Sequence, residues 1–208
     1  MVCRILGPPQ TWKIARSHLD RFQQHVFQDE GGLLQEHRVT LFKWVKWKLW
    51  MWPWRGRYWP WGSWGTWPWS GWLVPVVRSR HTTQKSSTVF LAPDDASLAE
   101  GVAGRAWGTG EVVVVNDLPD LSKQGTDGQI RTYADSTWVT TEWVRTRVRR
   151  GRHCARSLCG FTIEVKGTPW GVIVLDSKKA ELQKTDDIMG MYRLVAQFLG
   201  AVLQETAR

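Results

Sequence analysis

Two apolar runs separated by a tight turn constrain this chain more than any other feature of its sequence. Residues 158–166 and 169–176 are rich in β-branched and other apolar side chains, and Lys166-Gly167-Thr168 joins them. Runs of this kind, bounded by turn residues, predict β-strands. A connection this short predicts that the two strands pair as an antiparallel hairpin. The core is therefore expected to form around a sheet that contains this hairpin.

A helix and a strand are predicted upstream of the hairpin. Residues 100–107 read Glu-Gly-Val-Ala-Gly-Arg-Ala-Trp. Their two glycines, three residues apart at the start of a helix, would let it lie close to a sheet, and this structural role is favoured over a ligand role. Residues 112–115 are an unbroken valine run, which predicts a short strand buried on both faces. Residues 129–150 predict a helix that is interrupted near residues 136–137.

In this order the helix, strand, loop, helix, strand, tight turn and final strand ending in Asp176-Ser177 resemble a GAF domain, the ligand-sensing relative of PAS domains. The resemblance implies an α+β fold with a GAF-like central antiparallel sheet flanked by helices, preceded here by an N-terminal helix and an irregular Trp/Pro-rich segment. A GAF domain normally has a longer first hairpin before the glycine-containing helix, whereas residues 81–99 leave room for one strand at 87–91. Either that hairpin is abbreviated or the Trp-rich segment takes its place.

Helices are predicted at both ends of the chain. From residue 11 to 29, apolar residues recur every three or four positions, which predicts a helix. Two alternatives remain open for it: packing on the rest of the chain, or pairing with a second copy as a dimerising signalling helix. The last helix is expected to begin at Thr185 and to pack on the open face of the sheet. Each helix carries one apolar stripe. The stripe of the first helix is Trp12, Ala15, Leu19, Phe22 and Val26, and that of the last helix is Ile188, Met191, Leu194, Val195, Phe198, Leu199 and Val202.

The segment between the first helix and the predicted domain is rich in tryptophan and positive charge. Of the 16 Trp in the chain, 11 lie between residues 44 and 72, and residues 1–80 carry 12 Lys and Arg against four Asp and Glu. Its prolines exclude a long helix, and residues 59–77 hold too few aliphatics for a membrane span. We expect residues 43–80 to lie at an anionic membrane surface, because Trp favours the headgroup region and basic residues attract anionic lipid. A linker without a role is the alternative, and stacking on single-stranded nucleic acid ranks third.

These features divide the chain into three parts. Residues 1–38 form an N-terminal amphipathic helix region, residues 39–80 the basic Trp/Pro-rich segment, and residues 81–208 the GAF-like domain. Cys3, Cys154 and Cys159 are too few and too irregular for a disulfide framework or a zinc site. They predict a reducing, cytoplasmic setting, with the chain associated with the inner face of the membrane. The N-terminus lacks the pattern of a secretory signal.

No enzymatic motif is found. The five His are scattered, and the glycine-rich residues 101–110 lack the Gly-Lys-Ser/Thr of a phosphate loop. Free methionine sulfoxide reductases form one branch of the GAF family, but their cysteines would fall at Ala103 and in the 116–123 loop, where this chain has no sulfur. We therefore expect a bacterial-style sensor without catalytic residues, metal or cofactor. The alternatives are a redox enzyme of that type using Cys154 and Cys159, or a ligand-free scaffold at the membrane surface.

The resemblance implies a pocket between the central strands and the helices on one face, for an unknown small molecule or a partner protein. Arg156 is expected to bind an anion, so that Arg156→Ala abolishes binding and leaves folding intact. The basic run at 145–156 is interpreted as a solvated face, with a docking surface for phosphate or an acidic partner as the alternative. The residues expected to line the pocket are Trp107, Asn116, Asp117, Arg156, Ser157, Asp176 and Ser177.

Overall fold

A computed structural model describes residues 9–27, 36–46, 71–79, 88–122, 125–182 and 185–204. Within them an antiparallel sheet has the strand order β3-β2-β1-β6-β5-β4 and helices flank it, which confirms the predicted α+β class. The helices are α1 (Pro9–Val26), α2 (Gly101–Thr109), α3 (Asp127–Ser136), α4 (Thr141–Arg149) and α5 (Thr185–Gln204). The strands are β1 (His37–Lys46), β2 (Gly71–Arg78), β3 (Phe90–Leu91), β4 (Val113–Val115), β5 (Ser157–Val165) and β6 (Thr168–Ser177).

The predicted hairpin is formed by β5 and β6. Val165 pairs with Thr168, so the loop has two residues. Lys166 and Gly167 have φ angles of 56° and 71°, and two successive positive φ values are the mark of the type I′ turn that suits a twisted hairpin. The interrupted helix is confirmed as well, since α3 and α4 are separated by residues 137–140.

The first hairpin of the sheet is formed by β1 and β2, which corrects the predicted division of the chain. The boundary at 38/39 falls inside β1, and β1 lies between β2 and β6 in the middle of the sheet. The two flanks of the Trp-rich segment thus supply the hairpin, which is not missing from the fold. Residues 47–70, with most of the Trp-rich segment, lie outside the described residues.

Proline is tolerated in β2 because of what lies beside it. Pro75 pairs with Phe42 beside a bulge in β2, where the pairing with β1 skips Val76. The neighbouring strand β3 pairs with β2 only at Trp72 and Leu73. Proline is confined to bulges and to strand positions where no partner needs its N–H. The strand therefore continues through a residue that reads as a strand breaker in the sequence.

The prediction that the valine run is buried on both faces is wrong. Among the described residues β4 pairs with β5 alone, at the edge of the sheet, and Val113, Val114 and Val115 are each half-buried. A short β-branched run suits an edge position as well as a central one, because edge strands in natural sheets are typically short.

The two faces of the sheet carry different helices. Alternate residues of a strand point to opposite faces. Leu41 and Ile173 share a core with α1 and α5, whereas Phe42 and Val172 share one with α2. On the α2 side a Cβ at Gly104 would lie 2.6 Å from the carbonyl oxygen of Leu91. The close approach of helix to sheet, which the glycines predicted, is therefore present.

The terminal helices lie together on the first face. The α1 stripe is buried in this chain's own core, with Ala15 and Leu19 fully buried, so it is not the seam of a coiled coil. The prediction that the whole apolar stripe of α5 packs on the sheet needs correction, because Leu194 is 69% exposed and Phe198 is 48% exposed. Pairing of two chains through these helices stays a prediction. No helix of the described ranges is long and apolar enough to cross a membrane.

Candidate functional site

Strand register places four polar side chains together on the α2 face of the sheet. Arg38 of β1 is the cross-strand partner of Asp176 of β6, and Thr40 of β1 is the partner of Arg78 of β2. Arg38 and Thr40 are two residues apart on one strand, so they point to the same face. Residues from three strands that are far apart in the sequence thus meet at one place.

These side chains line a cavity of about 80 Å³ between the sheet and helices α2, α3 and α4. We call it the arginine cavity, since Arg38, Arg78 and Arg147 all line it. It is smaller than the roughly 300–1,000 Å³ clefts that hold drug-sized ligands, so its occupant would be small. Its principal apolar walls are Phe42, Phe90, Val102, Val139, Trp143 and Val174.

An ion pair lies on the strand side of the cavity. The Nε of Arg38 donates to Oδ1 of Asp176 over 2.6 Å, and the two side chains are 30% and 13% exposed. The Asp176 carboxylate raises the pKa of Arg38, and this effect is larger than that of burial, which lowers the same pKa. The single carboxylate among the residues that line the cavity is therefore engaged by one of the three arginines.

Arg78 carries its charge into the cavity without an ion pair among the described residues. Its Nε donates to Oγ1 of Thr40 over 3.0 Å. Burial lowers the pKa of Arg78, Asp176 opposes this effect, and the positive charges of Arg38 and Arg147 add to it. Arginine stays protonated in proteins, so the lowered pKa means that the folded chain holds this charge in an unfavourable position.

Helices α3 and α4 complete the cavity. The Nε of Arg147 donates to the carbonyl oxygen of His153 over 3.0 Å, and its guanidinium lies 5.1 Å from the ring centroid of Trp143. Tyr133 of α3 also lines the cavity, and burial raises its pKa, so its hydroxyl is neutral. Among the described residues, no group of three or more His, Cys, Asp or Glu could hold a metal ion.

The cavity lies where the resemblance places a ligand pocket, between the central strands and the helices on one face, with the terminal helices on the other face. The fold is GAF-like. The order of helix, hairpin, helix, strand, helices, hairpin and helix around one antiparallel sheet carries this conclusion.

Several solved structures are similar to this GAF-like chain. One is the free methionine-R-sulfoxide reductase from Neisseria meningitidis in complex with its substrate, with 16% identity, 96% of this chain and 87% of that chain covered, and a TM-score of 0.48. The type II free methionine-R-sulfoxide reductase from Thermoplasma acidophilum is 13% identical, with 94% of this chain and 96% of that chain covered and a TM-score of 0.47. The nlh2 GAF domain from A. aeolicus in an inactive state is 14% identical, with 94% of this chain and 91% of that chain covered and a TM-score of 0.45. At these identities and TM-scores none of them carries a ligand or an activity over to this chain. No family model and no curated protein matches the sequence.

Of the seven residues predicted to line the GAF pocket, Asp176 alone lines the arginine cavity. Most of the others tie the loop after β4 to the segment after β6. Oδ1 of Asn116 accepts a hydrogen bond from the backbone N–H of Leu182, and the N–H of Asp117 donates to the carbonyl of Ala180. Asn116 and Asp117 therefore connect two segments outside the arginine cavity, and their contact with a ligand stays a prediction.

Arg156 and its neighbours serve the same connection. Nε of Arg156 donates to the carbonyl of Leu118 over 3.3 Å. Oγ of Ser157 donates to the carbonyl of Lys179, while Oγ of Ser177 accepts from the N–H of Lys179. Arg156 thus holds a loop outside the arginine cavity, and its binding of an anion stays a prediction.

Two tryptophans pack together at the other end of the sheet. Trp107 of α2 stacks on Trp44 of β1 with ring centroids 5.3 Å apart and 10° between the planes. The indole N–H of Trp44 donates to the carbonyl of Ala92. Trp44, which the sequence assigned to a membrane-facing segment, is therefore a member of the fold.

The two described cysteines are poor nucleophiles in this setting. Cys159 is 1% exposed, and burial raises its pKa to about 12. Burial also raises the pKa of Cys154, more than Arg147 beside it lowers it. Because the thiolate is the reactive form, neither environment favours the redox alternative.

Sequence reasoning missed the three cavity arginines. The sequence predicts a membrane-surface position for Arg78 and a solvated face for Arg147, and Arg38 is the last residue of the predicted N-terminal region. The signal that could have found two of them is the strand-like composition of residues 39–42 and 72–77, which flank the Trp-Pro repeats. Reading those flanks as strands would have placed Arg38 and Arg78 in the sheet.

Proposed function

We propose that this chain is a regulatory module of signal transduction that binds a small molecule in the arginine cavity. The observation that carries the proposal is the convergence of polar side chains on one small space inside the fold. Arg38, Thr40, Arg78, Tyr133 and Asp176 all line it. Protein interiors are close-packed and contain few voids, and a cavity with apolar walls and a few convergent polar groups is the usual form of a ligand site.

The fold supports a regulatory role, because α1 is attached to the strand that carries the site. Nε2 of Gln23 in α1 donates to the carbonyl of His37 over 2.7 Å, and His37 is the neighbour of Arg38. A ligand that moves β1 would therefore act on a terminal helix on the opposite face. We assign the module to the cytoplasm from its few, irregular cysteines. Attachment of residues 47–70 to a membrane surface remains a separate prediction.

The test is native mass spectrometry of the full chain purified under gentle conditions, compared with a variant that fills the cavity. Val139→Phe places a larger side chain in the lining, whereas Val148→Phe makes the same change on α4 outside the lining. We expect a small molecule to co-purify with the wild type and with Val148→Phe but not with Val139→Phe. A bound species that persists in Val139→Phe would show that the site lies elsewhere, and an empty wild-type chain would favour the ligand-free scaffold.

A further inference from the structure

The residues lining the arginine cavity have an unbalanced charge. Three guanidinium groups, from Arg38, Arg78 and Arg147, face a lining with one carboxylate, Asp176. That carboxylate accepts the 2.6 Å hydrogen bond of Arg38. The lining thus carries two positive charges in excess, in a space that the sheet and three helices half enclose.

The two excess charges are held in place by neutral groups. Arg78 donates to the Thr40 hydroxyl and Arg147 to the His153 carbonyl. Within the part of the chain that the structure describes, neither makes an ion pair. A guanidinium has five N–H donors, and each of these contacts uses one of them. Both arginines are half-buried, and removing a charge from water is costly unless the charge is paired.

Other arginines of the chain show the contrast. Arg145 and Arg149 lie on the exposed side of α4 and each contacts a carboxylate over 3.0 Å, from Asp127 and Glu142. Unlike these two, Arg78 and Arg147 contact no carboxylate among the described residues. Such an arrangement raises the free energy of the empty fold, which an anion would relieve.

We propose that the occupant of the arginine cavity is a small organic anion, with a carboxylate or phosphate head held between Arg78 and Arg147. This inference rests on the proposed function and adds the ligand's charge. The planar guanidinium fork matches carboxylate and phosphate oxygens in bidentate pairs. Phe42, Phe90 and Trp143 offer the rest of such a molecule an apolar surface. The hydroxyl of Tyr133 adds a neutral hydrogen-bonding group.

The test measures thermal unfolding and calorimetric binding of the full chain with matched pairs of probes. Butyrate and benzoate are compared with butyramide and benzamide, which keep the shape and lose the charge, and inorganic phosphate supplies the other head group. We expect the anions to raise Tm and the amides to leave it unchanged. Preference for the carboxylates or for phosphate identifies the head group.

Variants assign the effect to the cavity. Arg78→Gln and Arg147→Gln are each expected to weaken anion binding at least about tenfold, since a charge-assisted bidentate contact is lost. Arg78→Lys keeps the charge without the fork and should retain part of the affinity. Arg131→Gln removes a charge from an exposed position of α3 and should bind like the wild type. If Arg78→Gln does not fold, Arg147→Gln gives the same readout.

Three results would overturn the inference. They are amides that bind as tightly as their acids, binding that Arg78→Gln and Arg147→Gln leave unchanged, and no rise in Tm with any anion. None of these decides the proposed function, because a neutral molecule that co-purifies with the wild type and is lost in Val139→Phe would still establish a ligand in the cavity.

Discussion

Replacing Asp176 with Asn removes the one carboxylate from the lining of the arginine cavity and retains the shape of the side chain. Breaking a buried ion pair at one partner costs about 3–5 kcal/mol. Arg38 is 30% exposed and Asp176 13% exposed, and the Asn oxygen can still accept the hydrogen bond, so the loss is reduced by solvent screening to about 2–3 kcal/mol. For a chain of this size 1 kcal/mol moves Tm by about 2–4 °C. The expected fall in Tm is therefore about 4–12 °C.

The same variant should bind an anion more tightly, because the charge excess of the lining rises from two to three. A saturating ligand stabilises both proteins, and the difference between them narrows by about 1.4 kcal/mol for each tenfold by which Asp176→Asn binds the anion more tightly. Saturating benzoate or phosphate should therefore narrow the Tm gap between Asp176→Asn and the wild type. Differential scanning calorimetry with and without the anion measures both effects.

Glu142→Gln is the matched control for this experiment. It makes the same kind of acid-to-amide change in an ion pair with Arg149, whose two side chains are 70% and 69% exposed. Exposed pairs contribute about 0–1 kcal/mol, so Tm should barely change, and the anion should affect this variant as it affects the wild type. The reasoning is refuted if Asp176→Asn is as stable as Glu142→Gln, or if the anion leaves the gap unchanged.

Other predictions follow from packing and composition. Cys159, with its pKa raised to about 12, should resist alkylation at mildly alkaline pH in the folded chain and react once the chain is unfolded, as measured on its own peptide by mass spectrometry; rapid labelling without unfolding would contradict its burial. Gly104→Ala should destabilise the chain by about 1–3 kcal/mol because its Cβ would crowd the Leu91 carbonyl, whereas Gly190→Ala in open space on α5 should stabilise it by about 0.5–1 kcal/mol; urea unfolding that gives both variants the same sign would be inconsistent with this. Vesicles of anionic lipid should bind the full chain, less so at high salt and less so when the Trp of the three Trp-Pro-Trp units between residues 47 and 70 are replaced by Ala, while equal binding by that variant would favour the linker alternative.

The sequence predicts the elements whose signals are local. The hairpin of β5 and β6 follows from two apolar runs and a turn at Lys166-Gly167, and the break between α3 and α4 follows from residues 136–137. The first hairpin could not be found in this way. Its strands are separated by residues 47–70, and Pro75 within β2 reads as a breaker, although a bulge at the next residue of β2 accommodates the missing N–H.

The site is harder to predict than the elements, because it depends on register between distant strands. Arg38, Arg78 and Arg147 are scattered along the sequence, and the pairing of β1 with β2 and β6 brings the first two together. A one-residue change in register would turn either side chain to the opposite face. Asp176 was predicted for the site because it ends β6, a position that the hairpin alone fixes.

The most direct test of the account is a crystal structure of the full chain, grown from protein that has been purified without added ligand. The account predicts electron density for a small anion in the arginine cavity, in contact with the guanidinium groups of Arg78 and Arg147. A cavity that is filled by the chain's own side chains, with Arg78 and Arg147 turned toward solvent, would contradict it.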